Sequence, residues 1–211
     1  SSSRGAQQAL HWGAIFPDQV DNICAVCGSA RTTPHNKVFL EGVRATLTAD
    51  PAWHEGGFTA RPVRGLRAMG RLYAGWAMSQ AFYRQEKHLE LGFASLEDYL
   101  VRGWEANFLR RNGDDLLAML AVWYDSDISD NEIYDGDLAA ALGAIKARAM
   151  IMPSRTDLYF TPEDSEIECA QMPNGEYRSI ESIWGHRAGN PLDNADDEAR
   201  IRGAVQDLLG D

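Results

Sequence analysis

Three side chains of the types used in nucleophilic catalysis occur in the order serine, aspartate, histidine. Ser3 stands near the start of the sequence, Asp157 follows an apolar run that ends at Met152, and His186 follows a run that ends near Ile183. Serine attacks only after a base has taken its proton, histidine titrates near neutral pH, and a carboxylate orients the imidazole. The three residues therefore predict a triad with Ser3 as nucleophile, His186 as general acid/base and Asp157 as its orienting group.

The stretch around Ser3 has the composition of a nucleophile elbow, the strained G-x-S-x-G turn between a strand and a helix. Ser1 takes the place of the first glycine, Gly5 is the second, and a helix-forming run follows. The backbone N–H of Arg4, the residue after the nucleophile, is then the expected oxyanion donor. The alternative is a serine-rich terminus that leads into an ordinary amphipathic helix.

The elements that must position these residues form an α/β pattern. Apolar runs at 20–30 and 147–152 lack alternation, as buried strands of parallel sheets do, and 176–183 is a further strand candidate. Helices are predicted at 4–16, 162–172 and 194–209. Active sites of open parallel sheets form beyond the carboxyl ends of the strands, where this pattern places Asp157 and His186.

The middle of the chain has a different character. It contains no strand candidate, and its helices are predicted at 35–49, 66–84, 95–109, 113–124 and 137–146, with loops at 52–65 and 125–136. The sequence therefore predicts a core made of residues 1–31 and 147–211, with residues 32–146 inserted as a helical lid or cap.

Composition restricts the function classes. The 211 residues carry a formal net charge of −11, which argues against nucleic acid and anionic membrane as main partners. No apolar run reaches the ~20 residues of a membrane span, and no signal peptide is recognisable. The three cysteines, Cys24, Cys27 and Cys169, are an odd number on a chain of this length and do not make a disulfide framework, so a reducing cytoplasm is expected.

Two further groups of residues invite a metal interpretation. The C-x-x-C formed by Cys24 and Cys27 lies in an apolar run, which favours core cysteines over a redox or zinc site. The acidic stretch 125–137 lacks the glycine and final glutamate of a calcium loop and is expected to be solvated. His54 and His88 lie among polar residues and are expected to be solvated as well. No metal site is predicted.

Several motifs together resemble the homoserine O-acetyltransferase-like branch of the α/β-hydrolase superfamily, whose triad has the same chain order. The motifs are Ser3-Arg4-Gly5-Ala6-Gln7-Gln8-Ala9-Leu10-His11-Trp12, Asp50-Pro51-Ala52-Trp53, Gly65-Leu66, Phe93-x-x-Leu96-x-x-Tyr99-Leu100, Thr156-Asp157-Leu158-Tyr159-Phe160-x-Pro162 and Gly185-His186. The resemblance implies a partial α/β-hydrolase fold with a mostly parallel sheet. It also implies an acyl-enzyme on Ser3, with transfer of an acetyl group to a hydroxyl or hydrolysis of an ester.

The resemblance also carries expectations about partners. No tightly bound cofactor is implied, and acetyl-CoA is a candidate acyl donor. The substrate is expected to be a small ester or alcohol, and a homodimer is a candidate assembly. Arg4 replaces the family's methionine and Met69-Gly70 replace its Ala-Arg, so the acyl acceptor stays open. Because the sequence begins at the elbow, we expect an N-terminal half of the fold on a preceding segment. The alternative function is a non-catalytic binding module.

Overall fold

The computed structural model describes residues 2–210, which form α-helices, strands and two shorter helical turns. The helices are α1 (Ser2–Ile15), α2 (Pro34–Thr48), α3 (Val63–Ala77), α4 (Gln80–Arg84), α5 (Lys87–Glu90), α6 (Leu96–Asp98), α7 (Ala106–Phe108), α8 (Gly113–Tyr124), α9 (Leu138–Gly143), α10 (Pro162–Cys169) and α11 (Ala195–Leu209). The strands are β1 (Asn22–Val26), β2 (Trp53–His54), β3 (Gly57–Phe58), β4 (Arg148–Met152) and β5 (Gly175–Tyr177). A π-helical turn occupies Tyr99–Glu105 and a 3-10 turn occupies Gly185–Gly189.

The chain divides into two compact units. The first, called the sheet unit, combines Ser1–Thr32 with Ser126–Asp211, and the second, the helical unit, is Thr33–Asp125. Residues 126–146, which the sequence analysis assigns to the insertion, are thus part of the sheet unit. The reason is apolar burial, since Leu142 and Ile145 are fully buried in the same core as Leu10 of α1.

The sheet unit is built on three parallel strands in the order β1-β4-β5. Ile23 pairs with Ala149 and Ala25 with Ile151, and these residues pack into the core formed with α1, α9 and α10. Met150 and Met152 face the other core, which α11 covers through Ala204 and Leu208. Helices on both faces explain why the strands lack alternation, and the predicted parallel α/β architecture is confirmed.

Two expectations for the helical unit are wrong. The segment without strand candidates contains the β2–β3 hairpin, in which Trp53 pairs with Phe58 across a turn of Glu55 and Gly56, both with positive φ. The rings of Trp53 and Phe58 are 4.9 Å apart, and such cross-strand pairs stabilise short hairpins. The predicted helix 66–84 is interrupted at Met78, which is extended, because Ser79 caps α4 by accepting the Phe82 N–H.

Buried polar groups connect the helices of the helical unit. Glu105 is buried, and its two carboxylate oxygens pair with the Nε atoms of Arg67 and Arg71 of α3, each at 2.5 Å. These ion pairs connect α3 to the π-helical turn. His88, predicted to be solvated, is buried and stacks on Tyr99 with ring centroids 5.8 Å apart. Sequence polarity misled the prediction because an imidazole presents an apolar face that packs well on another ring.

Candidate active site

Asp157 and His186 form a contact pair beyond the carboxyl end of β4. The Nδ1 atom of His186 lies 2.7 Å from Oδ2 of Asp157. The carboxylate is fully buried, whereas the imidazole is 16% exposed. A carboxylate on Nδ1 fixes the tautomer in which Nε2 is left to act as a base. The structure thus brings together two of the three predicted catalytic side chains.

The turn after β4 fixes the Asp157 carboxylate. Its Oδ1 accepts the backbone N–H groups of Tyr159 at 2.8 Å and Phe160 at 3.3 Å, and the Asp157 N–H donates to the Ser154 carbonyl at 3.0 Å. An aspartate that accepts N–H groups two and three residues ahead is a common local motif of this residue. With Oδ1 held by the backbone, Oδ2 is the oxygen that meets the imidazole.

Thr156 fixes the loop that carries His186. Its hydroxyl donates to the Ser182 carbonyl at 2.9 Å and accepts the Gly185 N–H at 3.1 Å. Gly185 has a φ of +59°, a conformation that favours glycine, directly before the histidine. The Tyr159 ring packs edge-on against the imidazole, with centroids 4.8 Å apart. The imidazole of His186 is therefore positioned by residues that are close in sequence to Asp157.

Ser3 lies in the first turn of α1 and is buried. The elbow prediction places this serine in a strained turn after a strand. In the structure Ser3 is helical, and it is not one of the described residues that have a positive φ. Ser1, the proposed equivalent of the first elbow glycine, lies outside the described residues. Arg4 follows in the same helical turn, where the helix dipole favours negative charge.

Gly28 places the start of α1 beside the end of β1. A Cβ atom on Gly28 would lie 2.7 Å from the Ser3 carbonyl oxygen and 2.6 Å from the Ala6 Cβ. Only glycine allows so close an approach of helix and loop. Ser3 therefore packs on the residue that follows Cys27, and Cys27 in turn lies next to the Asp157–His186 pair.

Sequence reasoning missed the position of Cys27. The Sγ atom of Cys27, a carboxylate oxygen of Asp157 and a ring nitrogen of His186 all lie within 4.8 Å of one another. These are metal-ligand types, but the Asp157 carboxylate already contacts Nδ1 of His186 and accepts two backbone N–H groups. Only its position in the sequence could have indicated that Cys27 lies near the site, because it directly follows β1 at the carboxyl edge of the sheet. All three cysteines are free thiols.

The chain is similar to curated esterases and acyltransferases. It is 36% identical over 186 residues to a probable esterase of Corynebacterium glutamicum and 34% identical over 186 residues to the ethyl acetate hydrolase of Pseudomonas veronii. It is 30% identical over 206 residues to the homoserine O-succinyltransferase of Hydrogenovibrio crunogenus. These alignments cover 87 to 88% of this chain and 53% of each relative, so the chain spans about half the length of the curated relatives it matches. No family model matches the sequence.

Solved structures agree on the fold. An acetylester hydrolase from Corynebacterium glutamicum superposes with a TM-score of 0.92 at 32% identity, covering 99% of this chain and 60% of that one. A homoserine O-acetyltransferase from Bacillus anthracis superposes with a TM-score of 0.77 at 19% identity, covering 95% of this chain and 57% of that one, a likeness of fold alone. Both the partial α/β-hydrolase fold and the resemblance to the homoserine O-acyltransferase-like branch are confirmed.

Proposed function

For a chain with the α/β-hydrolase fold and these relatives, we propose cleavage of small carboxylic esters through an acyl-enzyme on Ser3. The 2.7 Å contact between His186 and the buried Asp157 carries the proposal. A buried carboxylate on Nδ1 of a partly exposed histidine is the arrangement that a general base for a serine requires. The packing of Ser3 on Gly28 supports Ser3 as that serine.

In the proposed reaction the Ser3 hydroxyl oxygen attacks the ester carbonyl carbon while Nε2 of His186 takes the hydroxyl proton. The Asp157 carboxylate stabilises the imidazolium, and the Arg4 N–H is proposed to donate to the oxyanion. The imidazolium then protonates the leaving alkoxide, which departs as an alcohol. Water attacks the acyl-enzyme, its proton passes to His186, and release of the carboxylic acid restores Ser3.

The names of the relatives support short acyl groups as substrates. The two relatives of higher identity are named as a probable esterase and an ethyl acetate hydrolase, and the superposed structure of 32% identity is an acetylester hydrolase. We therefore propose acetyl esters of small alcohols as the substrate class. This reaction needs no tightly bound cofactor.

The first test is chemical labelling of Ser3. A fluorophosphonate probe is expected to form one adduct on Ser3, located by mass spectrometry, in the protein as it is encoded with any segment that precedes Ser1. Ser3→Ala is expected to abolish the adduct and to lower kcat for p-nitrophenyl acetate at least ~1000-fold. His54→Ala, at an exposed histidine of the helical unit, is the matched control for His186→Ala. A folded protein without an adduct on Ser3 would contradict the proposal.

Acyl transfer to an alcohol is the second candidate, and the homoserine O-succinyltransferase relatives favour it. The same acyl-enzyme would then be attacked by a substrate hydroxyl, with acetyl-CoA as a candidate donor in the cytoplasm. Product ratios with and without added alcohols separate the two outcomes, because a transferase forms a new ester in proportion to the alcohol. A non-catalytic binding module predicts no turnover at all, and turnover that disappears in His186→Ala rules it out.

A further inference from the structure

Cys27 occupies a strained and fully enclosed position beneath the catalytic pair. It is 0% exposed and has a φ of +48°, in the left-handed region that residues with a side chain rarely adopt. Its N–H continues the β1–β4 ladder by donating to the Met152 carbonyl at 2.9 Å. Non-glycine residues in this conformation are strained and concentrate at functional sites. From this strained position the Cys27 side chain points toward Asp157 and His186.

The surroundings of the thiol keep it neutral. Burial raises the pKa of Cys27 well above its usual value, and the charge of the Asp157 carboxylate raises it further. The Ser154 backbone N–H acts in the opposite direction without reversing the effect. Cys27 is therefore an S–H group at the pH of catalysis, with a carboxylate as its charged neighbour. A thiol in this state is a hydrogen-bond donor and not a nucleophile.

The Asp157 carboxylate has room for such a donor. Oδ1 accepts two backbone N–H groups and Oδ2 meets the imidazole, whereas an ionised carboxylate offers about four acceptor directions. The Cys27 Sγ lies within 4.8 Å of both the carboxylate and the ring nitrogen. The thiol thus approaches from the β1 side, whereas the three carboxylate contacts named above come from the turn after β4 and the His186 loop.

We propose that Cys27 is a positioning residue whose protonated thiol donates to the Asp157 carboxylate and keeps Oδ2 directed at Nδ1 of His186. The inference rests on the proposed function, because it assigns a role within the same catalytic pair. No bond is made or broken at sulfur. The thiol acts through Asp157 on the charge that the imidazole gains during catalysis, and so on kcat, without touching the substrate.

Three substitutions at position 27 separate donation from packing. Cys27→Ala removes the donor, and we expect kcat to fall about 10-fold with KM unchanged. Cys27→Ser keeps a donor and is expected to recover kcat to within about 2-fold of wild type. Cys27→Gly also lacks the donor but suits the positive φ, so it is expected to fold and to lose kcat like Cys27→Ala.

The pH dependence of kcat/KM distinguishes a positioning role from a structural one, because a merely structural change would not shift it. With its orientation lost, the carboxylate stabilises the imidazolium less, so the acid limb of kcat/KM is expected at lower pH in Cys27→Ala and Cys27→Gly. In an Asp157→Asn background the Cys27→Ala change is expected to have no additional effect on kcat. Cys24→Ala, in the strand β1 that directly precedes Cys27, is the matched control, and the Cys24 Sγ lies 3.9 Å from the Met152 Sδ.

The outcomes distinguish the two proposals. Suppose that His186→Ala abolishes turnover but the three position 27 variants keep the wild-type kcat. The positioning role is then overturned and the proposed function stands. The same holds if the acid limb of kcat/KM in Cys27→Ala and Cys27→Gly stays at the wild-type pH or moves to higher pH. If His186→Ala retains turnover, the proposed function itself is overturned. Additive losses in the Asp157→Asn background also overturn the positioning role.

Discussion

At the scale of residues, the candidate site depends on side chains that hold other side chains. Thr156 and Asp157 are neighbours in sequence, yet Thr156 holds the loop of His186 and Asp157 holds its ring. The two contacts come from one turn, so a distortion of that turn would displace both the imidazole of His186 and the carboxylate of Asp157. Polar residues without direct chemistry are therefore expected to affect kcat.

Thr156→Val provides a prediction at this scale. The substitution keeps the shape but leaves the Gly185 N–H and the Ser182 carbonyl without their partner, and each lost contact costs about 1–3 kcal/mol. We expect lower stability in urea unfolding and about 10-fold lower kcat, with both restored in Thr156→Ser. Thr161→Val is the control, because Thr161 caps α10 by accepting the Asp164 N–H. It should lose about 1 kcal/mol of stability and keep kcat. Equal losses of kcat in both valine variants would contradict the role of Thr156.

At the scale of elements, the approach of α1 to the end of β1 determines where Ser3 lies. The two elements meet at Gly28, with no space for a side chain there. Buried Ala6 and Leu10 continue the contact along the helix into the core. The start of α1 is thus placed by packing against the sheet, and Ser3 is placed with it.

Gly28→Ala tests this contact. The new methyl group would lie 2.6 Å from the Ala6 Cβ and 2.7 Å from the Ser3 carbonyl oxygen, so α1 or the loop must move. We expect a loss of about 1–3 kcal/mol in the free energy of unfolding and a fall in kcat with a slower fluorophosphonate reaction at Ser3. Gly203→Ala in α11 is the control, since nothing lies within 4 Å of its added Cβ. Unchanged labelling of Ser3 in a destabilised Gly28→Ala would show that the helix start is not held by this contact.

At the scale of the whole molecule, a buried carboxylate holds the segment that leads out of the sheet unit. Glu168 of α10 accepts the Ala30 N–H at 2.8 Å and the Arg31 N–H at 3.3 Å, shortly before the unit ends at Thr32. The Arg31 side chain pairs with Asp127 at 2.5 Å, where the chain re-enters the sheet unit. Burial raises the pKa of Glu168 from 4.5 to about 7, although the two N–H groups oppose the shift.

The raised pKa of Glu168 predicts a pH dependence of stability. Between pH 4.5 and about 7 the folded state binds more protons at Glu168 than the unfolded state, so this residue's contribution to stability falls as pH rises through that window. The full effect is up to about 3 kcal/mol. Urea unfolding at about pH 5 and about pH 8 measures this fall in stability. We expect the fall in wild type and in the control Glu166→Gln, which lies at an exposed position of the same helix. We do not expect it in Glu168→Gln. Parallel pH dependences of wild type and Glu168→Gln would contradict it.

Among residues 2–210 no helix combines the length and the apolar character that crossing a bilayer requires. The longest helices, α2, α3 and α11, have 15 residues each and carry charged side chains.

Local patterns sufficed for much of the architecture. The unalternating runs identified β1 and β4. Ser95 and Asp98 form a local capping pair, with Ser95 accepting the Asp98 N–H and Asp98 accepting the Ala94 N–H. Such features depend on a few adjacent residues. The break at Met78 and the hairpin of Trp53 and Phe58 were missed because cap and ring contacts there outweigh helix periodicity and turn composition.

By itself the sequence determined the order Ser3, Asp157, His186 and the position of the last two beyond apolar strands, because residue type and strand signals are local. Tertiary structure alone decided that His186 meets Asp157 at 2.7 Å and that Cys27 lies beside them. The parallel register of β1 and β4, a pairing across more than a hundred residues, brings Cys27 to the turn that carries Asp157. Contacts of Thr156 with Ser182 and Gly185 bring the His186 loop to the same turn. Local sequence does not encode that register, since it follows from burying both faces of the sheet at once.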